Sequence, residues 1–217
     1  MRTLWLSFIF TIMTISTPMR AENLSIERLV ASPALSGPAA KGVKISPDGS
    51  RVTFLQGKLD DQDQQDLWEY HIADGEKRLL VDSQQLLGSE EVLDEVELAR
   101  RERARIFATG IIEYAWSPDG KALLFPLGGD LYYLELGGEP RRLTQTEATE
   151  TDAKVSPRGR YVSFVREQNL FVIDLKTGVE KAITTDGAGA ISYGVADFAA
   201  QEEMYRATGY WWSRDDT

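Results

Sequence analysis

Two adjacent glutamates, Glu202 and Glu203, are the residues whose types and spacing most clearly suggest chemistry in this sequence. They stand in the stretch QEEMYRATGYWW (residues 201–212), where an arginine and three consecutive aromatic residues follow them. Two neighbouring carboxylates can bind one cation through charge-assisted hydrogen bonds, and their mutual repulsion raises one pKa unless a nearby cation compensates. On composition alone, a pair of glutamates on a solvated helix is the simpler interpretation.

The sequence lacks the motifs that hydrolytic or metal chemistry usually requires. A Ser-His-Asp triad needs a histidine, and the only one is His71, which ends a predicted strand and is expected to be structural or solvent-facing. The closest approach to a G-x-S-x-G motif, at Ser192, has one residue too many before the serine. The sequence has no cysteine and no P-loop, dinucleotide, HExxH or EF-hand motif. We therefore predict no catalytic residue, no metal site and no cofactor in these 217 residues.

The composition limits the classes of possible partner, and the first residues indicate the cellular location of the protein. The formal net charge of −10 argues against a nucleic acid partner bound through a basic surface, and 42% hydrophobic residues support a folded core. Arg2 precedes an apolar run over residues 4–15, which is shorter than the roughly 20 residues of a transmembrane helix. We predict that residues 1–21 are a signal peptide of an exported protein, periplasmic or secreted, with no other membrane association. An uncleaved anchor is the alternative.

A repeated unit organises the rest of the chain. Three starts place Ser-Pro-Asp/Arg-Gly after an apolar residue, at Ser46, Ser117 and Ser156, and a degenerate fourth, WWSRDD, begins at Trp211. Proline presets φ and glycine tolerates positive φ, so each start predicts a tight turn between strands. The segments that follow the turns, RVTFL, ALLF and YVSFV, have the β-branched and aromatic content of strands and predict them. About four strands per 40 residues are typical of a β-propeller blade.

We therefore predict an all-β fold, with residues 22–217 forming a partial β-propeller of about three blades of four-stranded antiparallel sheet and one inserted helix. The starts at Ser117 and Ser156 are 39 residues apart, whereas the intervals before and after them are 71 and 57 residues. The two long intervals indicate insertions, which in repeat proteins gather where binding faces are built.

The first insertion, residues 89–107, predicts an amphipathic helix with Ser89 as its N-cap. Its acidic residues precede its basic ones, as the helix dipole favours, and Glu97 can pair with Arg101 one turn later. An apolar stripe through Val92 and Val96 predicts packing against the sheets. The second insertion, residues 188–210, holds the glutamate pair, so the two insertions carry opposite charges.

The stretch YGVADFAAQEEMYRATGYWWS (residues 193–213) resembles the glutamate motif of the dipeptidyl peptidase IV subfamily of prolyl oligopeptidases. The likeness is closest to bacterial forms and to the dipeptidyl peptidase 8/9-like branch, and it extends over the repeats and the RRERARI helix end. The resemblance implies a serine peptidase that releases X-Pro or X-Ala dipeptides. Its partner is a peptide substrate with a free N-terminus, which enters between a propeller and an α/β-hydrolase domain.

By motif position, the resemblance implies that Glu202 and Glu203 bind the free α-ammonium of the substrate. It also implies that Arg105 contacts the carbonyl of the second substrate residue, a role for which Arg101 and Arg103 are less favoured. An α-amino group has a pKa near 8 and is a compact cation with three donors. Acylated or internal peptide segments lack this cation, so the glutamate pair would place the cleavage site at a fixed distance from a free N-terminus. A homodimer of the full-length protein remains an open alternative to a monomer.

The sequence also departs from the family pattern. It has SRDD where SPDD is expected, and it ends before the remaining blades and the hydrolase domain. We therefore expect the substrate-recognition region without the catalytic triad, and marginal stability or aggregation of this fragment by itself. One alternative is a periplasmic β-propeller scaffold that binds protein partners, resembling the Tol-system propeller. Such a scaffold has no need of the glutamate pair or the arginine-rich helix. Another alternative is a catalytically dead homologue used only for binding.

Overall fold

The computed structural model describes residues 24–31 and 34–216. The residues up to Ala31 form a unit of their own, whose described part is the helix α1 (Ile26–Val30), capped by the Ser25 side chain. The predicted signal peptide, residues 1–21, lies outside the described residues. None of the helices in the described ranges has the length and apolar content of a membrane span.

Residues 34–216 contain three antiparallel meanders of four strands each. The first consists of β1 (Lys41–Ile45), β2 (Arg51–Gly57), β3 (Gln64–His71) and β4 (Glu76–Val81), with β5 (Thr109–Gly110) added parallel to β3. The second consists of β6 (Ala115–Trp116), β7 (Ala122–Leu127), β8 (Asp130–Glu135) and β9 (Arg141–Arg142). The third consists of β10 (Thr151–Val155), β11 (Tyr161–Arg166), β12 (Asn169–Asp174) and β13 (Glu180–Ala182). The helices of this unit are α2 (Ser83–Leu87), α3 (Glu95–Arg103) and α4 (Phe198–Met204). The predicted all-β class is confirmed.

The middle meander is buried on both faces. Because successive side chains of a strand point to opposite faces, alternate residues of β7 enter different cores. Leu123, Phe125 and Leu127 pack in a cluster with residues of the first meander, whereas Ala122 and Leu124 pack with residues of the third. The middle sheet therefore packs between the first and the third.

The Ser-Pro-x-Gly starts form the predicted turns, and the third turn uses a distant carboxylate. In the first two turns the serine hydroxyl donates to the aspartate two residues later. The third start has Arg158 instead of aspartate, and Asp216 takes its place. Its Oδ2 accepts from Ser156 Oγ and its Oδ1 from the Arg158 N–H, both at 2.9 Å. The SRDD segment also closes a turn, in which Ser213 Oγ donates to Asp215 at 2.6 Å.

The same set of contacts joins β1–β2 to residues 114–116 and β10–β11 to residues 210–212. In each, a lysine ammonium lies over a tyrosine ring, and the tryptophan two residues after that tyrosine donates its indole N–H to a hydroxyl on the second strand. The four residues are Lys44, Tyr114, Trp116 and Thr53 at the first junction, and Lys154, Tyr210, Trp212 and Ser163 at the second. Residues 210–212 therefore repeat the arrangement that leads into the second meander, in agreement with the degenerate fourth start.

The predicted N-cap of the inserted helix is wrong. Ser89 lies outside α3, which begins at Glu95 with Asp94 as its N-cap. The Asp94 carboxylate accepts a hydrogen bond from the N–H of Glu97 at 2.8 Å, which satisfies an otherwise unpaired donor of the first helical turn. Asp94 also accepts from the N–H of Thr149 at 2.8 Å, a contact that the sequence does not reveal. This second bond fixes the helix start next to the third meander.

The predicted apolar face of this helix is also wrong. The side chains of Val92 and Val96 are exposed, whereas the buried residues of α3 are Glu97 and Arg101. The predicted Glu97–Arg101 pair is confirmed, with Arg101 Nε 2.7 Å from a Glu97 oxygen. The helix is therefore held through paired charges rather than through an apolar stripe.

Candidate functional site

A cavity of about 620 Å³ lies where the two insertions meet the third meander. Its walls come from α3, from the turn between β11 and β12, and from residues 187–207, and they include Arg103, Glu167, Phe198 and Gln201. The structure thus brings the two predicted insertions to one cavity.

The segment that carries the glutamate pair is an insertion closed at its base. Val195 and Thr208 form an antiparallel bridge, and the N–H of Gly209 donates to the carbonyl of Gly194 at 2.9 Å. Between these points α4 begins after Asp197, whose carboxylate accepts from the N–H of Ala200 at 3.0 Å. Because both ends of the segment are pinned together, α4 is held at a defined place on the cavity wall.

Glu202 and Glu203 are consecutive residues of α4, and both are exposed. Among residues 24–31 and 34–216, neither carboxylate has an ion pair, so both are available to an external cation. The preceding residue, Gln201, lines the cavity, as does Phe198 one turn earlier. The glutamate pair therefore stands at the edge of the cavity rather than among its lining residues.

Of the three consecutive aromatic residues 210–212, two anchor the segment and the third does not. The Tyr210 hydroxyl donates to the carbonyl of Asp152 at 2.5 Å, and burial raises the pKa of Tyr210 well above its ordinary value, so the phenol remains a neutral donor. The Trp212 ring stacks on Tyr161, with centroids 6.0 Å apart. Trp211 is 70% exposed. The aromatic residues thus hold the end of the α4 segment through Tyr210 and Trp212.

Arg105 lies just after α3 with a left-handed backbone conformation (φ 55°), and its side chain is exposed. No ion pair joins Arg105 to Glu202 or Glu203 in the described part of the chain. Arg100 and Arg103 of α3 line the cavity, whereas Arg105 does not. The carbonyl-binding role of Arg105 therefore stays a prediction.

The sequence did not identify Glu167 as a cavity residue, and it indicated Arg103 only as a less favoured candidate for the carbonyl contact. Both are exposed, both line the cavity, and neither has an ion pair within the described ranges. A comparison of the repeats could have singled out Glu167, because it stands where another repeat has glycine. The turn between the second and third strands is Gly128-Gly129 in one meander and Glu167-Gln168 in the next.

Buried charge pairs fix α3 beside the cavity. Arg101 lies 2.8 Å from Glu91 and 2.7 Å from Glu97, and all three side chains are at most 8% exposed. Glu91 also accepts a hydrogen bond from the N–H of Gly110 in β5 at 3.0 Å. A buried guanidinium with two carboxylate partners needs this complete set of contacts, because removing one member leaves an uncompensated charge.

We predict that α3 loses its anchors as the pH falls below about 4. Burial opposes the ionisation of both Asp94 and Glu97. Hydrogen bonds from the N–H groups of Glu97 and Thr149 nevertheless hold the pKa of Asp94 below 3.8, and those from Arg100 and Arg101 hold the pKa of Glu97 below 4.5. A lowered carboxyl pKa stabilises the fold above these ordinary values, and the contribution is lost as the pH falls through the folded-state pKa.

Amide hydrogen exchange over residues 95–103 at pH 7, 5 and 3, corrected for the intrinsic exchange rate, measures this effect. Protection of α3 is expected to fall at pH 3 before that of β7. Equal protection of the two elements at pH 3 would count against the anchoring role of these carboxylates.

Comparison with known proteins matches part of this chain to a protein-family model. Residues 137–217 match the model of the dipeptidyl peptidase IV N-terminal region. The matched range contains α4 and the glutamate pair, whereas α3 and Arg105 precede it. The finding agrees with the resemblance that the glutamate motif carries.

The individual relatives are dipeptidyl peptidases. Dipeptidyl peptidase 8 of Mus musculus is 29% identical over 130 residues, which are 52% of this chain and 15% of that protein. The human dipeptidyl peptidase 8 is 28% identical over 130 residues, 52% of this chain and 14% of that protein. A probable dipeptidyl-aminopeptidase B of Arthroderma gypseum is 39% identical over 61 residues, 28% of this chain and 7% of that protein. The chain therefore spans about a seventh or less of these relatives, and its similarity is to the N-terminal region of dipeptidyl peptidase IV-like peptidases.

Proposed function

We propose that this chain is the substrate-recognition region of an exported serine dipeptidyl peptidase that releases X-Pro or X-Ala dipeptides from free peptide N-termini. In this proposal the three stacked meanders are part of a β-propeller, residues 1–21 direct export, and a hydrolase domain outside residues 1–217 supplies the catalytic triad. Residues 1–217 by themselves have no peptidase activity.

The observation that carries the proposal is the position of the glutamate pair. Within the described part of the chain, Glu202 and Glu203 are exposed and have no ion pair. They stand on α4, whose segment is closed at its base and also lines a cavity shared with α3. Two carboxylates at a fixed place can accept the three donors of an α-ammonium group, each charge-assisted bond being worth about 1.5–3 kcal/mol. An N-acetylated peptide or an internal segment lacks this cation.

A fixed distance between the bound terminal ammonium and the catalytic serine accounts for the release of dipeptides. If α4 holds the terminal ammonium, the peptide bond presented to the catalytic serine is always the same number of residues from the free end. Arg105 contributes a second contact, to the carbonyl of the second substrate residue, and so fixes the direction of the chain entering the site. Proline or alanine at the second position then completes the specificity.

Cleavage of three unblocked peptides by the full-length protein tests this function. The peptides share one composition and carry proline at position two, three or four, and the products are identified by mass spectrometry. We expect an N-terminal dipeptide from the first peptide and no initial cleavage of the other two. Cleavage after proline at position three or four would contradict dipeptide release, whereas no cleavage of any peptide would favour a binding scaffold.

A further inference from the structure

The turn between β11 and β12 has an unusual backbone. Glu167 and Gln168 both have positive φ, 47° and 63°, a conformation that is uncommon for residues other than glycine. The corresponding turn of the second meander uses Gly128 and Gly129, with φ of 60° and 88°. Glycine therefore forms the same turn in this fold without a side chain. The third meander instead places a carboxylate and an amide at the cavity.

This turn is held firmly by its neighbours. The side-chain amide of Asn169 donates to the carbonyl of Glu167 at 2.9 Å, and the carbonyl of Gln168 accepts from the N–H of Tyr193 at 2.9 Å. Arg166, next to Glu167 in sequence, pairs with Glu150 and with Glu180 instead, at 3.1 and 2.5 Å. The Glu167 carboxylate is therefore held on a fixed backbone and is not neutralised by the adjacent arginine.

Most charges of the cavity wall already have partners. Arg100 contacts Glu97 and Glu113, at 2.6 and 3.4 Å. Asp152 pairs with Lys154 at 2.9 Å, and the Asp94 carboxylate accepts two backbone N–H groups. Within the described part of the chain, the charged lining residues whose side chains have neither an ion pair nor a hydrogen bond are Arg103 and Glu167. The cavity thus offers one cationic and one anionic group to a ligand.

A peptide can satisfy both groups. Its main-chain carbonyl oxygens are acceptors for a guanidinium whatever the sequence, whereas an ionic partner for the carboxylate requires a cationic group of the peptide. This step rests on the proposed function, in which the second substrate residue is proline or alanine and carries no cation. The first residue is the one whose ammonium lies on α4, and α4 lines the same cavity.

We propose that Glu167 is a specificity-determining residue that binds the cationic side chain of lysine or arginine at the first substrate position. Arg103 binds a main-chain carbonyl oxygen of the same peptide. The site therefore favours peptides that begin with lysine or arginine and have proline or alanine at the second position.

The test compares kcat/KM of the full-length protein for Lys-Pro, Gly-Pro and Glu-Pro reporters that all carry the same leaving group. Wild type is expected to favour Lys-Pro over Gly-Pro, and Glu167→Gln to lower that ratio about tenfold, which corresponds to one charge-assisted contact. Glutamine suits the backbone, because Gln168 already adopts positive φ. Glu167→Asn, with a residue that favours this conformation, is the second variant. Arg103→Gln is expected to lower the values for all three reporters by a similar factor.

Glu139→Gln is the matched control, because Glu139 is exposed and is not among the cavity-lining residues. It is expected to leave the Lys-Pro to Gly-Pro ratio unchanged. An unchanged ratio in both Glu167 variants, with Gly-Pro still cleaved, would overturn the role of Glu167 and leave the dipeptidyl peptidase function standing. Failure of wild type to cleave any of the three reporters would overturn both proposals.

Discussion

Replacing both α4 glutamates, Glu202→Gln together with Glu203→Gln, is expected to lower kcat/KM of the full-length protein for a Gly-Pro reporter about a thousandfold. The estimate follows from two charge-assisted hydrogen bonds to the substrate ammonium, each worth about 1.5–3 kcal/mol. Glutamine keeps the size of the side chain and one acceptor oxygen, so the loss reports mainly on charge. Each single variant is expected to lose about one to two orders of magnitude.

The fold should tolerate these substitutions. Both side chains are exposed and have no ion pair among the described residues, and such surface changes usually alter the free energy of unfolding by no more than about 0.5 kcal/mol. Glu139→Gln removes a charge from an exposed turn outside the cavity and is expected to retain wild-type kinetics. If the double variant kept wild-type kcat/KM while its unfolding curve was also unchanged, the ammonium-binding role would be excluded.

The second large effect concerns stability. Arg101→Met is expected to lower the free energy of unfolding by about 3–5 kcal/mol, because it leaves two buried carboxylates without their cation. Those carboxylates belong to Glu91, which also holds the N–H of Gly110, and to Glu97. Methionine retains much of the apolar stem, so the loss reports on the charge rather than on a cavity.

Denaturant unfolding of the full-length protein, with hydrogen exchange over residues 91–110, measures the change. Arg103→Met on the same helix is the control, because Arg103 is exposed and without an ion pair in the described ranges, and it should change stability by no more than about 0.5 kcal/mol. Equal stabilities of the Arg101 and Arg103 variants would show that the buried network does not hold α3. In that case the geometry of the cavity would need another explanation.

The strands were predictable because their causes are local. A Ser-Pro-x-Gly turn followed by a short apolar segment determines where a strand begins, as β7 illustrates. The helix was less predictable. Its N-cap is Asp94 rather than Ser89, and its buried residues are Glu97 and Arg101, because tertiary partners such as Thr149 and Glu91 decide the outcome.

The candidate site was predictable only in part. The position of Glu202 and Glu203 in an insertion followed from the repeat spacing, and their proposed role followed from a motif. The sequence did not predict that the charges of Arg103 and Glu167 are available in the cavity. Whether a charge is available depends on whether its neighbours in the fold are already paired with other residues. Asp216 shows the same limit, since it serves a turn 60 residues earlier in the sequence.

The central claim is that α4 recognises a free peptide N-terminus beside the cavity that it shares with α3. The most direct measurement is the ratio of kcat/KM for Gly-Pro reporter to that for its N-acetylated form, in full-length wild type and in the Glu202→Gln, Glu203→Gln double variant. We predict a ratio of about a thousand in wild type and a ratio close to one in the variant. Equal cleavage of both reporters by wild type, or the same large ratio in the variant, would contradict the claim.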